Sequence, residues 1–198
     1  YSNPARPEMS WWWDANPLFA GVNFSRSRQI NNFDLVVGGD LFGNEGYRSD
    51  NYEQRGRLNI KFRHRPQNLK RLTYGLNTNL QFQKKSDFFI WIDADSGAYL
   101  QQPETVTPNN GARFNMDPWI TFVDKYHNNH SLKTRYYLVT NNFEQDADKN
   151  NSSELYFGEY QYQRTFYNQL NVTAGMSGLY GITNSNLYGD HYNSTISV

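Results

Sequence analysis

Apolar and polar residues alternate along most of this chain, with a period of two. Residues 55–63 read Arg-Gly-Arg-Leu-Asn-Ile-Lys-Phe-Arg. Leu58, Ile60 and Phe62 hold the even positions, and Arg55, Arg57, Asn59, Lys61 and Arg63 the odd ones. Successive side chains of a strand point to opposite faces, so this segment predicts a strand with one apolar and one charged face. Residues 72–83 repeat the pattern, with Leu72, Tyr74, Leu76, Leu80 and Phe82 against Thr73, Asn77, Asn79, Gln81 and Gln83. Residues 132–138 set Leu132, Tyr136 and Leu138 against Lys133 and Arg135. Residues 170–180 set Leu170, Val172, Ala174, Met176 and Tyr180 against Asn171, Thr173 and Ser177. Weaker alternation covers 18–24, 33–41 and 156–163, and 118–126 is strand-like without an assignable inner face. Eight strands result, with a ninth starting near Leu187. Helical periodicity is almost absent.

The connections are expected to alternate in length. Tight ones contain Asn31-Asn32, Arg65-Pro66-Gln67-Asn68, Asn128-Asn129 and Tyr167-Asn168. Asn tolerates the positive φ that tight hairpins require. Long polar ones are expected near 43–52, 84–115, 142–153 and 183–190. The expected strands exceed the ~5–6 residues usual in globular sheets and reach the ~9–11 that cross a tilted bilayer path. Long strands with tight turns on one side and long loops on the other are the layout of outer-membrane barrels. The expected fold class is therefore all-β: a segment of an antiparallel transmembrane β-barrel in one domain, 1–198, with outer-membrane lipid against its apolar face. A sheet in lipid must close, because no backbone group can be left unpaired there.

Composition agrees with this layout. Aromatic residues make up 17% of the chain, yet all apolar types together reach only 37%, and the mean hydropathy is -0.85. An average globular domain carries about 45–50% apolar residues. Alternation resolves the mismatch, since only every second residue would meet lipid, and Tyr and Trp gather at the two interfaces. Phe24, Phe33, Tyr74, Tyr126, Tyr162, Phe166 and Tyr180 are candidates for those interfacial belts. Nineteen basic and 19 acidic residues cancel, which removes the electrostatic case for nucleic acid. The chain has no cysteine, so thiolate chemistry and disulfides are excluded.

The polar positions form the expected lumen lining: Arg55, Arg57, Asn59, Lys61, Asn77, Asn79, Gln81, Lys133 and Arg135, with Asp34, Asp40 and Glu159 as acidic counterparts. Aromatic clusters outside the strands are candidate contacts for substrate or partner: Trp12 within Trp11-Trp12-Trp13, then Phe88, Phe89, Trp91 and Tyr99 in the longest loop. Exposed aromatic clusters can mark binding surfaces. Asp93-Ala-Asp95 and Asp146-Ala-Asp148 resemble the start of a calcium loop but lack its full ligand spacing. His127 and His130 make an incomplete metal pair across an expected turn. No metal, no cofactor and no enzymatic activity are expected.

The stretches FDLVVGGDLFGNEGYR (33–48), RGRLNIKFRHRP (55–66), LTYGLNTNLQFQKKSDFFIWIDADSGAY (72–99) and FNMDPWITFVDKYHNNHSLKTRYYLVTNNF (114–143) resemble TonB-dependent outer-membrane receptors, closest to the SusC-like branch of nutrient importers. The resemblance implies a Gram-negative outer-membrane barrel of about 22 strands around a plug, importing glycans or peptides. It also implies a SusD-like surface lipoprotein as partner and a TonB complex as energy source, coupled through parts absent from this chain. The chain shows neither plug nor TonB box and starts without Met. It is therefore expected to be an early-to-middle barrel segment. A passive porin or small structural or adhesive barrel is the alternative function, and a soluble carbohydrate-binding β-domain a further one.

Overall fold

The computed structural model describes residues 16–95, 97–167 and 169–198. Nine strands follow one another: β1 (Phe19–Ile30), β2 (Phe33–Asn44), β3 (Tyr52–His64), β4 (Leu72–Ser86), β5 (Asn109–Val123), β6 (Asn129–Phe143), β7 (Asn151–Phe166), β8 (Leu170–Ser185) and β9 (Gly189–Ser197). They form one open antiparallel sheet in the order β1 to β9, so each strand pairs with its sequence neighbours. The only helices among the described residues are two short 3-10 turns, Pro103–Thr105 and Ala147–Lys149. No described helix is long and apolar enough to cross a membrane, which says nothing of strands.

The register brings the alternation of every strand into phase. Leu58 pairs with Leu80 and Phe62 with Leu76. Leu80 pairs with Phe114 and Tyr74 with Ile120. Ile120 then meets Leu132, Leu132 meets Tyr160, and Tyr160 meets Met176. A slip of one residue in any ladder would send that strand's apolar set to the opposite face. The same register places Asn59 opposite Asn79 and Arg57 opposite Gln81 on the other face.

No large apolar side chain is buried among the described residues; the buried ones are Gly, Pro, Ser, Asn and Gln. Among the described residues no second layer covers either face. Of the exposed large apolar side chains inside strands, all but Phe19 belong to the apolar face, including Leu41 at 64% and Met176 at 58%. Folding has sorted these residues to one side without removing them from solvent.

The turns follow their local chemistry. Asn31 has φ 52 between β1 and β2, His127 φ 65 between β5 and β6, and Tyr167 φ 52 between β7 and β8. Tyr seldom adopts this region, whereas Asn and His are enriched there. Gly46 sits at φ 69, and an added Cβ would lie 1.6 Å from the Asn51 carbonyl oxygen.

Three boundaries differ from the sequence expectation. β5 begins at Asn109, well before the expected 118, so the connection expected over 84–115 is confined to 87–108. The cause is Asn109-Asn110-Gly111, which looks like loop but pairs with Lys84, Lys85 and Gln83 of β4. The connection expected over 183–190 is the tight turn 186–188, because the polar run Thr183-Asn184-Ser185 completes the ladder with β9. The connection 65–71, expected to be tight, is as long as 45–51 and 144–150. The length alternation is therefore partial. The ladder also assigns the faces of β5: Ala112, Phe114, Met116, Ile120 and Phe122 on the apolar side, Arg113, Asn115, Asp117, Trp119 and Thr121 on the polar side. Pro118 sits inside this central strand, where it cannot donate to the ladder, and the pairing with β6 is interrupted at Asp117 and Pro118.

Candidate functional site

All nine residues expected to line a lumen fall on the polar face. They are brought together as a cross-strand network. Arg57 donates to Gln81 Oε1 through Nε and Nη2 at 3.0 and 2.7 Å, and Gln81 passes the chain to Gln83 at 3.0 Å. Asn79 donates to Asn59. Asp40 lies between Arg55 at 3.4 Å and Arg57 at 3.8 Å. Asp34 is shared by Arg63 at 2.6 Å and Arg65 at 2.7 Å. Lys133 reaches Glu159 at 3.6 Å. Arg135 forms two parallel bonds to Asp117, at 2.7 and 2.9 Å, the strong bidentate geometry of guanidinium and carboxylate. The three acidic counterparts thus pair with basic side chains, and Asp117 joins them. Asp117 escaped sequence reasoning because the inner face of its segment was unassigned. Lys61 has no ion-pair partner among the described residues.

The polar face is not uniform. Over β2 to β4 it is charged. Over β7 and β8 it carries an apolar island of Leu155, Phe157 and Leu179, with Trp119 nearby on β5, lining a depression of about 790 Å³. Trp119 itself covers Gly75, where an added Cβ would lie 2.8 Å from the indole. The alternation in β7 gave no warning of the island, because Tyr156 and Phe157 are both aromatic and only Glu159, Gln161 and Gln163 marked that face as polar.

Beyond β2 and β4, two loops dock on each other. Ser49 N donates to Tyr99 O at 2.9 Å, and Gln101 N donates to Ser49 Oγ at 3.1 Å. Tyr47 meets Tyr99 edge-on at 6.3 Å. The Arg48 guanidinium lies over the rings of Tyr47 at 4.9 Å and Phe88 at 4.7 Å. Gln101, only 3% exposed, ties the longer loop to itself through Asp87 O and Thr105 O at 3.3 and 2.8 Å. The five aromatic candidates therefore separate. Phe88 and Tyr99 lie within the loop packing. Phe89 is 78% and Trp91 51% exposed, adjoining exposed Ile90 and Ile92. Trp12, with the rest of Trp11-Trp12-Trp13, lies outside the described residues.

The acidic and histidine motifs serve turns. Asp93 Oδ1 accepts from the backbone N–H of Asp95 at 2.8 Å and of Gly97 at 3.0 Å. Asp146 pairs with Lys149 at 3.0 Å. His130 uses both ring nitrogens, Nδ1 at 2.7 Å from the Tyr160 hydroxyl and Nε2 at 3.6 Å from Asp124. Asp124 also accepts from the backbone N–H of Tyr126 and Asn128 at 2.8 and 2.9 Å and from the Asn128 side chain at 2.8 Å. Desolvation pushes the Asp124 carboxyl up, but these donors outweigh it and hold it down at about 2. No group of three or more acidic, His or Cys side chains that could hold a metal gathers among the described residues.

Comparison of the chain with family models, with curated proteins and with solved structures finds no match in any of the three.

Proposed function

We propose that this chain forms part of the wall of an outer-membrane barrel, within a SusC-like, TonB-dependent importer of bulky nutrients. One observation carries the membrane reading. The register gathers most of the large apolar side chains of the nine strands onto one uncovered face, while the opposite face pairs most of its charges. An aqueous sheet with such a face would bury it against a second layer. In a bilayer, hydrocarbon is that second layer.

The outward face supports this reading in detail. Its apolar band on β4 runs from Tyr74 to Phe82, about 27 Å along the strand at ~3.4 Å per residue, or roughly 21 Å of height at a strand tilt of about 40°, beside an apolar belt about 25 Å tall in outer-membrane barrels. Aromatic rows edge the band at its turn end. There, His64 contacts Phe33 at 6.2 Å and Tyr74 at 5.4 Å, and His130 contacts Phe122 at 6.0 Å and Tyr162 at 5.2 Å. Across the middle of the face, in register with Thr78 and Met116, Phe114, Tyr136, Tyr156 and Tyr180 follow one another at 6.1, 5.1 and 6.4 Å. The rows at the turn end have the composition of an interfacial girdle. β1 and β9 each have one neighbour in the sheet, so a bilayer would require further strands to close it.

The importer reading rests on the resemblance of the four quoted stretches. The interior wall would be the polar face, and transport would be physical passage without covalent chemistry. The exposed Phe89-Ile90-Trp91-Ile92 ridge would meet the surface lipoprotein or the substrate. Phe89→Ala/Trp91→Ala is expected to weaken uptake or co-purification of the lipoprotein, with the folded barrel retained. Uptake and co-purification both at wild-type level would remove the ridge from this role. Uptake that is indifferent to loss of TonB would favour a passive porin instead.

A further inference from the structure

At the centre of β3, β4 and β5 the polar face forms a three-by-three grid. Its first row, nearest the loops, is Arg57, Gln81 and Arg113. The second is Asn59, Asn79 and Asn115. The third is Lys61, Asn77 and Asp117. Adjacent strands lie ~4.8 Å apart and residues rise ~3.4 Å, so the grid measures about 10 by 14 Å. Charged residues hold its four corners, and amides hold the five other places.

The corners do not balance. Asp117 is taken up by the two bonds from Arg135. Arg57 is held by Gln81 and, at 3.8 Å, by Asp40. Lys61 and Arg113, at diagonally opposite corners, are exposed and have no ion-pair partner among the described residues. The amides between them keep bonding capacity. Asn79 donates to Asn59, and Asn115 donates to Asp117 at 3.2 Å. The Asn59 amide nitrogen, the Asn79 and Asn115 amide oxygens and the whole Asn77 amide have no partner among the described residues. The grid also borders the apolar depression of this face, because Asn77 and Asp117 line it together with Trp119, Phe157 and Leu179.

We propose that this grid binds an acidic oligosaccharide, a hydroxyl-rich chain carrying carboxylates. A side-chain amide offers a donor and an acceptor, as a sugar hydroxyl does. A cation without a partner takes a carboxylate in a charge-assisted bond. An indole takes the C–H face of a sugar ring. One carboxylate thus faces Lys61 and another Arg113, hydroxyls bond the amides, and a ring lies on Trp119. An acidic peptide would fit the two cations but offers few hydroxyls to the amides. The assignment narrows the cargo of the importer and rests on that reading.

The test uses the full-length protein in detergent, titrated calorimetrically with oligogalacturonate and with the same oligosaccharide after reduction of its carboxylates to alcohols. Wild type is expected to bind the acidic form about tenfold more tightly, a single tenfold step in Kd. Lys61→Gln/Arg113→Gln should remove that difference and leave the affinity for the reduced form unchanged, a split that a merely structural role would not produce. Trp119→Ala should weaken both. Arg164→Gln, on the opposite face, should change neither and so controls for loss of a charge. Polyglutamate of equal length should bind more weakly than oligogalacturonate. Equal binding of the two oligosaccharides, a preference that survives in the double variant, or polyglutamate bound as tightly as oligogalacturonate would overturn the site. A protein that enters bilayers yet shows no preference refutes the grid alone. The expected preference and variant pattern in a protein that fails to enter bilayers keep the grid and refute the importer reading.

Discussion

Single positions on this sheet differ in consequence by parity. Leu58 and Leu76 point to the apolar side, and their neighbours Asn59 and Asn77 to the polar side. Arg at Leu58 or Leu76 is expected to cost about 2–4 kcal/mol near a bilayer midplane, whereas Arg at Asn59 or Asn77 should be tolerated. Reversible unfolding in lipid vesicles measures the difference, and equal damage at both parities would reject the face assignment. Asp124 supplies a prediction in pH. Its folded carboxyl titrates at about 2, below its ordinary 3.8. A depressed acid stabilises the fold above its unfolded value, and that contribution is lost as pH falls through the folded one. Asp124→Ala should therefore be less stable than wild type near neutrality, and the gap should close as pH falls from about 4 toward 2. A gap that persists unchanged at the acid end would show that Asp124 acts through packing instead.

At the scale of elements, β3, β4, β6 and β8 were legible because apolar and polar residues alternate through the middle of each. β5 was misplaced at its start because its first residues, Asn109-Asn110-Gly111, are turn formers that strand pairing overrides. The polar end of β8 failed to read as strand for the same reason. The polar-face residues were legible as a set, since alternation alone fixes their side. Asp34, Asp40 and Glu159 were legible as acidic counterparts because their strands had assigned faces, whereas Asp117 was not, because its strand had none. The docking of 45–51 on 87–108 lay beyond sequence reasoning, because Tyr47, Arg48, Phe88 and Tyr99 meet across separate loops. Gln101 is the anchor there. Gln101→Ala would leave the Asp87 and Thr105 carbonyls without this donor, at about 0.5–1.5 kcal/mol for a part-buried hydrogen bond. Amide exchange over residues 97–105 should rise while exchange in β3 and β4 stays slow. Unchanged exchange in the loop would show that the Tyr47–Arg48–Phe88 stack suffices.

The described residues form a single open antiparallel sheet, and on the reading proposed above its apolar side meets another medium. Composition pointed the same way: aromatic residues abundant, apolar mass low, and every second position polar. A closed barrel containing this wall should migrate faster on a gel unheated than after boiling, because closed barrels resist detergent unfolding. The most direct measurement exploits the absence of cysteine from the chain. Single cysteines placed in turn at residues 57–63 and 74–80, spin-labelled and reconstituted in bilayers, report contact with apolar oxygen or with a water-soluble nickel complex. A barrel wall requires oxygen contact at Leu58, Ile60, Phe62, Leu76 and Leu80, and nickel contact at Arg57, Asn59, Lys61, Asn77 and Asn79. Nickel contact at both parities, with no period of two, would contradict the claim that lipid covers the apolar face.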